Sequence, residues 1–286
     1  MREIRAWAPA VVLTALTGLS AFLLNPIWVA VMVSAAVAYG TMSSIVAARR
    51  LYFLAGASAH SALLAAVLAL PLANLVGLLS ERAWAVLVGL ALTYSVGYMI
   101  HRGMDPDVAT SIFVAATASA SALAIYYVLT RFPLEAELWA IMVGDPLLSS
   151  PSEAFYALGV AGLTASAVVL TYREQVYIGL DREFARLSGI RTWAYDLLVF
   201  TLLGLITVSL IKVVGFVLEH VLLLLPSAIA TRLSRSSRAV LLASLSVSLA
   251  ASLSGLYLSV LANLSPAGLV GLVLLAAYLA CMAVGR

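Results

Sequence analysis

Apolar residues run along this chain in long unbroken blocks, separated at intervals by short polar clusters, with none of the alternation of a half-buried strand. Several blocks reach roughly 18 residues or more, the length a helix needs to cross a bilayer. A membrane barrel alternates polar and apolar positions, and these blocks do not. The pattern predicts about ten helices, at 7–24, 27–48, 52–79, 83–101, 107–130, 151–172, 193–211, 213–226, 239–261 and 265–284. Several starts are punctuated alike. Asn25-Pro26, Asp105-Pro106, Ser150-Pro151 and Ser265-Pro266 each offer a capping side chain followed by proline, whose fixed φ and missing N–H suit the first helical position. Glu153, three residues after Ser150, completes a capping box. The segment 213–226 is short for a full crossing, so a tilted or broken helix is expected there.

Composition agrees: 64% of the 286 residues are hydrophobic and 10% charged, against about half and a quarter in a soluble domain. The fold class expected is all-α, a polytopic integral membrane protein, with 1–286 as a single transmembrane domain. The opening MREIRAWAPAVVLTALTGLSAFLL imitates a signal peptide. No small-x-small cleavage site follows, so 7–24 reads as a retained first helix. Cys281 lies alone in the last apolar block, which leaves no intrachain disulfide and no cysteine-based metal site.

The net charge of +3 does not point to nucleic acid, because the basic residues are scattered between spans. With the N-terminus inside, Arg49, Arg50, Arg102, Arg173, Arg182, Arg186, Arg191, Arg232, Arg235 and Arg238 fall on one side. Arg82, Arg131 and Lys212 fall on the other. That imbalance fits the positive-inside rule, and with an even helix count the expectation is a multi-pass protein of the cell membrane, embedded in lipid, with both termini cytoplasmic. Two cytoplasmic segments stand out: a polar connector at 173–192 with an amphipathic helical core, and a small, basic, Ser-containing segment at 227–238. On the outer side, 131–150 should hold a short helix ending in a turn near Gly144. There is no GxxxxGK[ST] phosphate loop, no HExxH and no CxxC, and nothing marks a nucleophile elbow. An enzyme is unsupported; a transport subunit is the better expectation.

From Arg49 onward, the order of motifs resembles the permease subunits of ABC transporters for zinc, manganese and related divalent metals. VVGFVLEHVLLLLPSAIA is similar to that family's Val-Gly, aliphatic run, then Pro with small residues. LDREFARLSGI matches its Asp–aromatic–Ala–Gly spacing through Asp181, Phe184, Ala185 and Gly189. VGDPLLSSPSEAF, RRLYFLAGASAHSALL and SPAGLVGLVL add an outer turn, a His-bearing helix and a final helix start. The first helix lies outside the resemblance. What the resemblance implies is a type II ABC importer-like permease, working as a homodimer with an ABC ATPase subunit inside and an extracytoplasmic solute-binding protein outside. ATP would be used in the partner, and this chain would bind no cofactor beyond its transported divalent metal. It also implies that the segment after Pro226 couples to the ATPase through Pro226, Ala228, Ala230, Thr231, Arg232, Ser234 and Arg235.

The family carries an Asp four residues before the helix histidine; here His60 matches the histidine and Gly56 stands at the Asp position. Glu219 and His220 are charged or polar where the family is apolar or small. A carboxylate deep in the bilayer costs about 2.5 to 3.5 kcal/mol and normally faces protein or a water-filled path. At 1.5 Å rise per residue, His60 lies roughly 13 Å and Glu219 roughly 10 Å from the cytoplasmic edge, so the two share one layer. Glu219 with His60 and His220 is therefore the candidate metal site, replacing the carboxylate missing at Gly56. Adjacent helical residues diverge by about 100°, so Glu219 and His220 cannot readily hold one ion together, and a local structural pair is the competing reading. Two other functions stay open: the same fold carrying a metal chelate such as a siderophore or cobalamin, and a stand-alone secondary transporter or channel using Glu219 as a proton or ion site.

Overall fold

A computed structural model describes residues 24–144 and 146–284, and every regular element among them is helical. The predicted helix at 7–24 and Asp145 fall outside the described residues. The helices are α1 (Pro26–Arg49), α2 (Tyr52–Val76), α3 (Glu81–His101), α4 (Pro106–Arg131), α5 (Glu135–Val143), α6 (Pro151–Leu180), α7 (Arg182–Leu187), α8 (Thr192–Leu233), α9 (Ser237–Ala262) and α10 (Pro266–Val284). Eight of them are long and apolar enough to span a bilayer. This is a multi-pass membrane protein, although the expected count of ten is not reached among the described residues.

Three of the caps read from the sequence form as expected. Asn25 accepts from the Ile27 amide at 2.9 Å, Asp105 from Asp107 and Val108, and Ser150 and Glu153 close a capping box. Each holds backbone donors that lipid could not satisfy. Inside the spans, Ser34, Thr41, Thr93, Thr117 and Thr207 return their hydroxyls to the carbonyl four residues earlier, so these five sit in apolar helices with their hydroxyls bonded.

α1 is the centre of the bundle, packed against α6, α8 and α9, while α2 packs against α3, α4 and α8. The core divides accordingly, one cluster around α1 and a smaller one between α2, α3 and α4 that takes in Leu138 and Ile141 of α5. Leu123, Leu170, Leu242 and Leu279 on the outer helices are exposed, as lipid-facing residues should be.

Three sequence expectations need correction. α6 runs on to Leu180, so the first half of the 173–192 connector is helix. Its polar residues are tolerated because Gln175, fully buried, accepts from Arg49 at 2.6 Å. Pro226 does not end the membrane run; the helix continues through it to Leu233. The segments 193–211 and 213–226 are, as expected, two legs, but the break, where the 42-residue α8 folds back on itself, falls at Gly215 (φ 79°, ψ 155°) and not at Lys212.

The reversal follows from the contacts along α1. Asp196 pairs with Arg49, and ten residues on, the Ile206 carbonyl accepts from Tyr39, so the first leg runs antiparallel to α1. The Ser227 amide then donates to Ser43 Oγ at 3.1 Å, and Glu219 is back within electrostatic reach of Tyr39. Gly215 and Gly144 meet backbone to backbone at the turn, and a Cβ on either would overlap the other segment. Positive φ with extended ψ is a conformation essentially reserved for glycine.

Candidate functional site

The second leg of α8 offers two stripes. Phe216 and His220, spaced by four, face α2: their rings lie 5.1 and 5.5 Å from the His60 ring and 4.7 Å from each other. Leu224 continues the stripe to Gly56, where its Cδ1 is the nearest atom to a would-be Cβ, at 4.0 Å. His60, Phe216 and His220 are half-buried, and Phe53 and Val217 beside them are exposed. The His220 Nδ1 lies 2.9 Å from the Phe216 carbonyl. A carbonyl can only accept, so Nδ1 carries the proton and Nε2 presents its lone pair.

Glu219, Leu223 and Ser227 form the other stripe and face α1. Glu219 is fully buried, and neither carboxylate oxygen has a hydrogen-bond partner among the described residues. The structure thus joins two of the three expected metal residues, His60 and His220, and sends the third to another face. No group of three or more His, Cys, Asp or Glu able to hold a metal ion occurs among the described residues.

The arginine-rich end of the bundle has two exposed features. One is the tip after α8, where Thr231, Arg232 and Arg235 are exposed and Arg232 lies over the Tyr278 ring at 5.5 Å. Ser234 is half-buried. Pro226 and Ala230 are buried within the chain and Ala228 is half-buried, so this part of the expected coupling segment is mostly inside the bundle. The second feature is α7, with Phe184 and Leu187 exposed and Ala185 buried. Asp181 caps α7 through the Phe184 amide at 2.9 Å, and Asp196 bridges Arg182 to Arg49, bracing the helix on α1 and α8. Asp196, read from the sequence as an interfacial anchor, is the hub of this brace. At the opposite end, Lys212 pairs with Glu81 at 2.5 Å, and Arg82 reaches Glu153 at 3.4 Å while lying over the Tyr156 ring. Those partnerships lie far apart in sequence, and no local signal announces them.

Residues 20–285 match the profile of the ABC 3 transport family. This chain belongs to that family. Among curated relatives, it is 27% identical over 178 residues to the "Manganese transport system membrane protein MntC" of Halalkalibacterium halodurans, covering 62% of this chain and 60% of that protein. It is 25% identical over 197 residues to the "Probable metal transport system membrane protein" of Thermotoga maritima, covering 69% of this chain and 67% of the relative. With the Streptococcus pneumoniae "Manganese import system permease protein ScaB" it shares 26% over 129 residues, 45% and 46% of the two chains. The matched region thus spans from about half to two thirds of these relatives' length. Among solved structures, PsaBC from Streptococcus pneumoniae in complex with Fab has a similar fold (TM-score 0.76, 19% identity, 94% of this chain and 95% of that one). An inward-facing structure assigned to the metal-chelate type of ABC transporter has it too (TM-score 0.77, 12% identity, 99% of each chain). The fold shared with these structures therefore extends over nearly the whole chain.

Proposed function

We propose that this chain is the membrane permease subunit of an ABC importer for a divalent metal ion. The observation that carries the reading is the profile match across 20–285, and its curated relatives are named for manganese or metal transport. The arginine-rich end is cytoplasmic under the positive-inside rule, as are both termini. Without a phosphate loop, the chain depends on a separate ATPase for energy and on a solute-binding protein to deliver cargo.

His60 and His220 are the cargo contacts. Both are half-buried on the surface of membrane-spanning segments, and intramembrane ionisable groups face a bundle interior or a watery path rather than lipid. A second copy of the chain, packed about a two-fold axis with the pair facing inward, supplies that environment. The ATPase docks at the cytoplasmic end against α7 and the tip Thr231–Arg235. Phe184 and Leu187 offer the apolar part of that contact, Arg232 and Arg235 the polar part.

A second cargo, an intact metal chelate, is favoured by Gly56 and by the lack of a three-ligand cluster among the described residues. The test is ATP-driven uptake in vesicles holding this chain with its ATPase and binding protein. Uptake of free divalent metal, lost in His60→Ala with assembly intact, is the expected result. Uptake of a chelate but of no free ion would select the second cargo.

A further inference from the structure

At the arginine-rich end, one carboxylate joins the ends of several helices. Asp196 of α8 accepts from Arg182 of α7 through both oxygens, and from Arg49, the last residue of α1, through Oδ1. Arg49 also donates to Gln175 Oε1 of α6 at 2.6 Å, and Gln175 Nε2 reaches the Tyr195 carbonyl at 3.4 Å. Beside this network α6 and α1 touch backbone to backbone, since a Cβ at Gly179 would overlap the Ala48 carbonyl. Exposure rises outward along the network. Gln175 is fully buried, the Arg49 side chain is 7% exposed, Asp196 20% and Arg182 48%.

α7 is a short helix slung between α6 and α8. It follows Asp181 directly and is joined to α8 through 188–191, where Gly189 has φ 85°. Connectors of this kind can absorb a rotation in a few backbone angles, so the covalent chain alone would let α7 turn without moving the bundle. The Arg182–Asp196 contact removes that freedom, because a bidentate guanidinium–carboxylate pair fixes orientation as well as distance. The same carboxylate holds Arg49 and thereby α1, which packs against α8, the helix whose second leg carries His220. Without its charge, two guanidiniums would face each other, one of them nearly sealed from water. We infer that Asp196 is a positioning residue that couples ATP hydrolysis to transport. It clamps α7 to α1, so that displacement of α7 by the docked ATPase moves α1 and α8 instead of being lost in the connectors. This rests on the transport reading above and adds the link between the docking surface and the membrane-spanning helices.

The test uses vesicles holding the full complex with ATPase and binding protein, supplied with zinc or manganese chloride. Metal imported per ATP hydrolysed is measured for wild type, Asp196→Asn, Arg182→Ala and Arg182→Lys. A coupling of ordinary size shifts an equilibrium by about 5- to 150-fold, and a fall of that order is expected in Asp196→Asn and Arg182→Ala. Arg182→Ala leaves the Arg49–Asp196 pair intact, so its melting temperature and the amount of bound ATPase should match wild type. Arg182→Lys, which keeps the charge, should recover part of the loss. A wild-type ratio in both folded variants overturns the inference. So does a parallel loss of hydrolysis and uptake, which would mark a merely structural brace. A low ratio in Arg182→Ala beside a normal one in Asp196→Asn also overturns it, because Arg182 would then act on the ATPase directly. Should Asp196→Asn misfold, Arg182→Ala with its ATPase still bound, and its recovery in Arg182→Lys, decide. A wild type that hydrolyses ATP yet imports neither the free ions nor a ferric siderophore would instead remove the transport reading itself.

Discussion

The second leg of α8 presents two faces that alternate along one helix and yet live in different surroundings. Toward α1, Glu219, Leu223 and Ser227 are sealed inside the bundle, where Ser227 is satisfied by Ser43 and Glu219 by no hydrogen bond among the described residues. Toward α2, Phe216, His220 and Leu224 are half-buried beside His60, with Leu224 against Gly56. Adjacent residues in the chain therefore face opposite requirements. A group in the first face must be accommodated by packing, and a group in the second can meet an ion or a second copy. Polarity alone does not mark a transport residue; polarity together with an open side does.

The harshest way to break the comparison is to remove the leg. Gly215→Val puts a β-branched residue at positive φ and extended ψ and drives its Cβ into the Val143–Gly144 peptide. Strain of that kind costs of order 1–3 kcal/mol before any overlap is counted. Both faces should be lost together, seen as a collapse of monodisperse protein in detergent and no uptake. A Gly215→Val protein that melts like wild type would show that the reversal does not depend on this glycine.

His220→Ala separates the faces. It removes one imidazole and no core packing, so uptake of divalent metal should drop about 10- to 100-fold while the melting temperature stays within a degree or two, a stability change of about 0.5 kcal/mol or less. Equal losses of stability and uptake would place His220 with the structural face. Glu219→Leu is its mirror. A fully buried carboxylate with no partner carries an unrecovered desolvation cost, about 1–3 kcal/mol or more, which an apolar side chain of similar size avoids. The variant should be as stable as wild type or more so, and should transport. Loss of uptake in a folded Glu219→Leu would join the two faces into one pathway and restore Glu219 to the site.

Much of this arrangement was legible in the chain, for local reasons. Caps at Asn25, Asp105 and Ser150 depend on residues within three positions, and they form as read. The short helix before Gly144 likewise ends where expected. The divergence of Glu219 from His220 is a consequence of helical pitch; depth matching paired His60 with Glu219, whereas the ring beside His60 is that of His220. What escaped depends on partners distant in sequence. The reversal at Gly215 needs Gly144 across from it, 71 residues earlier (215 − 144). The persistence of α6 to Leu180 and of α8 through Pro226 needs Arg49, Ser43 and Tyr52 to satisfy Gln175 and Ser227. Apolar length therefore located the spans, while their ends were set by tertiary hydrogen bonds that the spacing of residues does not encode.

The smallest expected effect is also the sharpest test of how the sealed face is held. Ser227 follows Pro226, which has no N–H to offer the helix, and Ser227 directs its own amide to Ser43 Oγ on α1 at 3.1 Å. Ser43→Ala removes that acceptor and leaves a buried amide donor without this partner. A typical hydrogen bond is worth about 0.5–1.5 kcal/mol, and an orphaned buried donor adds its own desolvation cost, so a loss of roughly 1–2 kcal/mol is expected in thermal unfolding. The groove on the opposite face contains no part of this contact, so divalent-metal uptake by Ser43→Ala should equal that of wild type. A drop in uptake would mean that tilting the leg against α1 re-aims His220, and that the sealed face governs the open one.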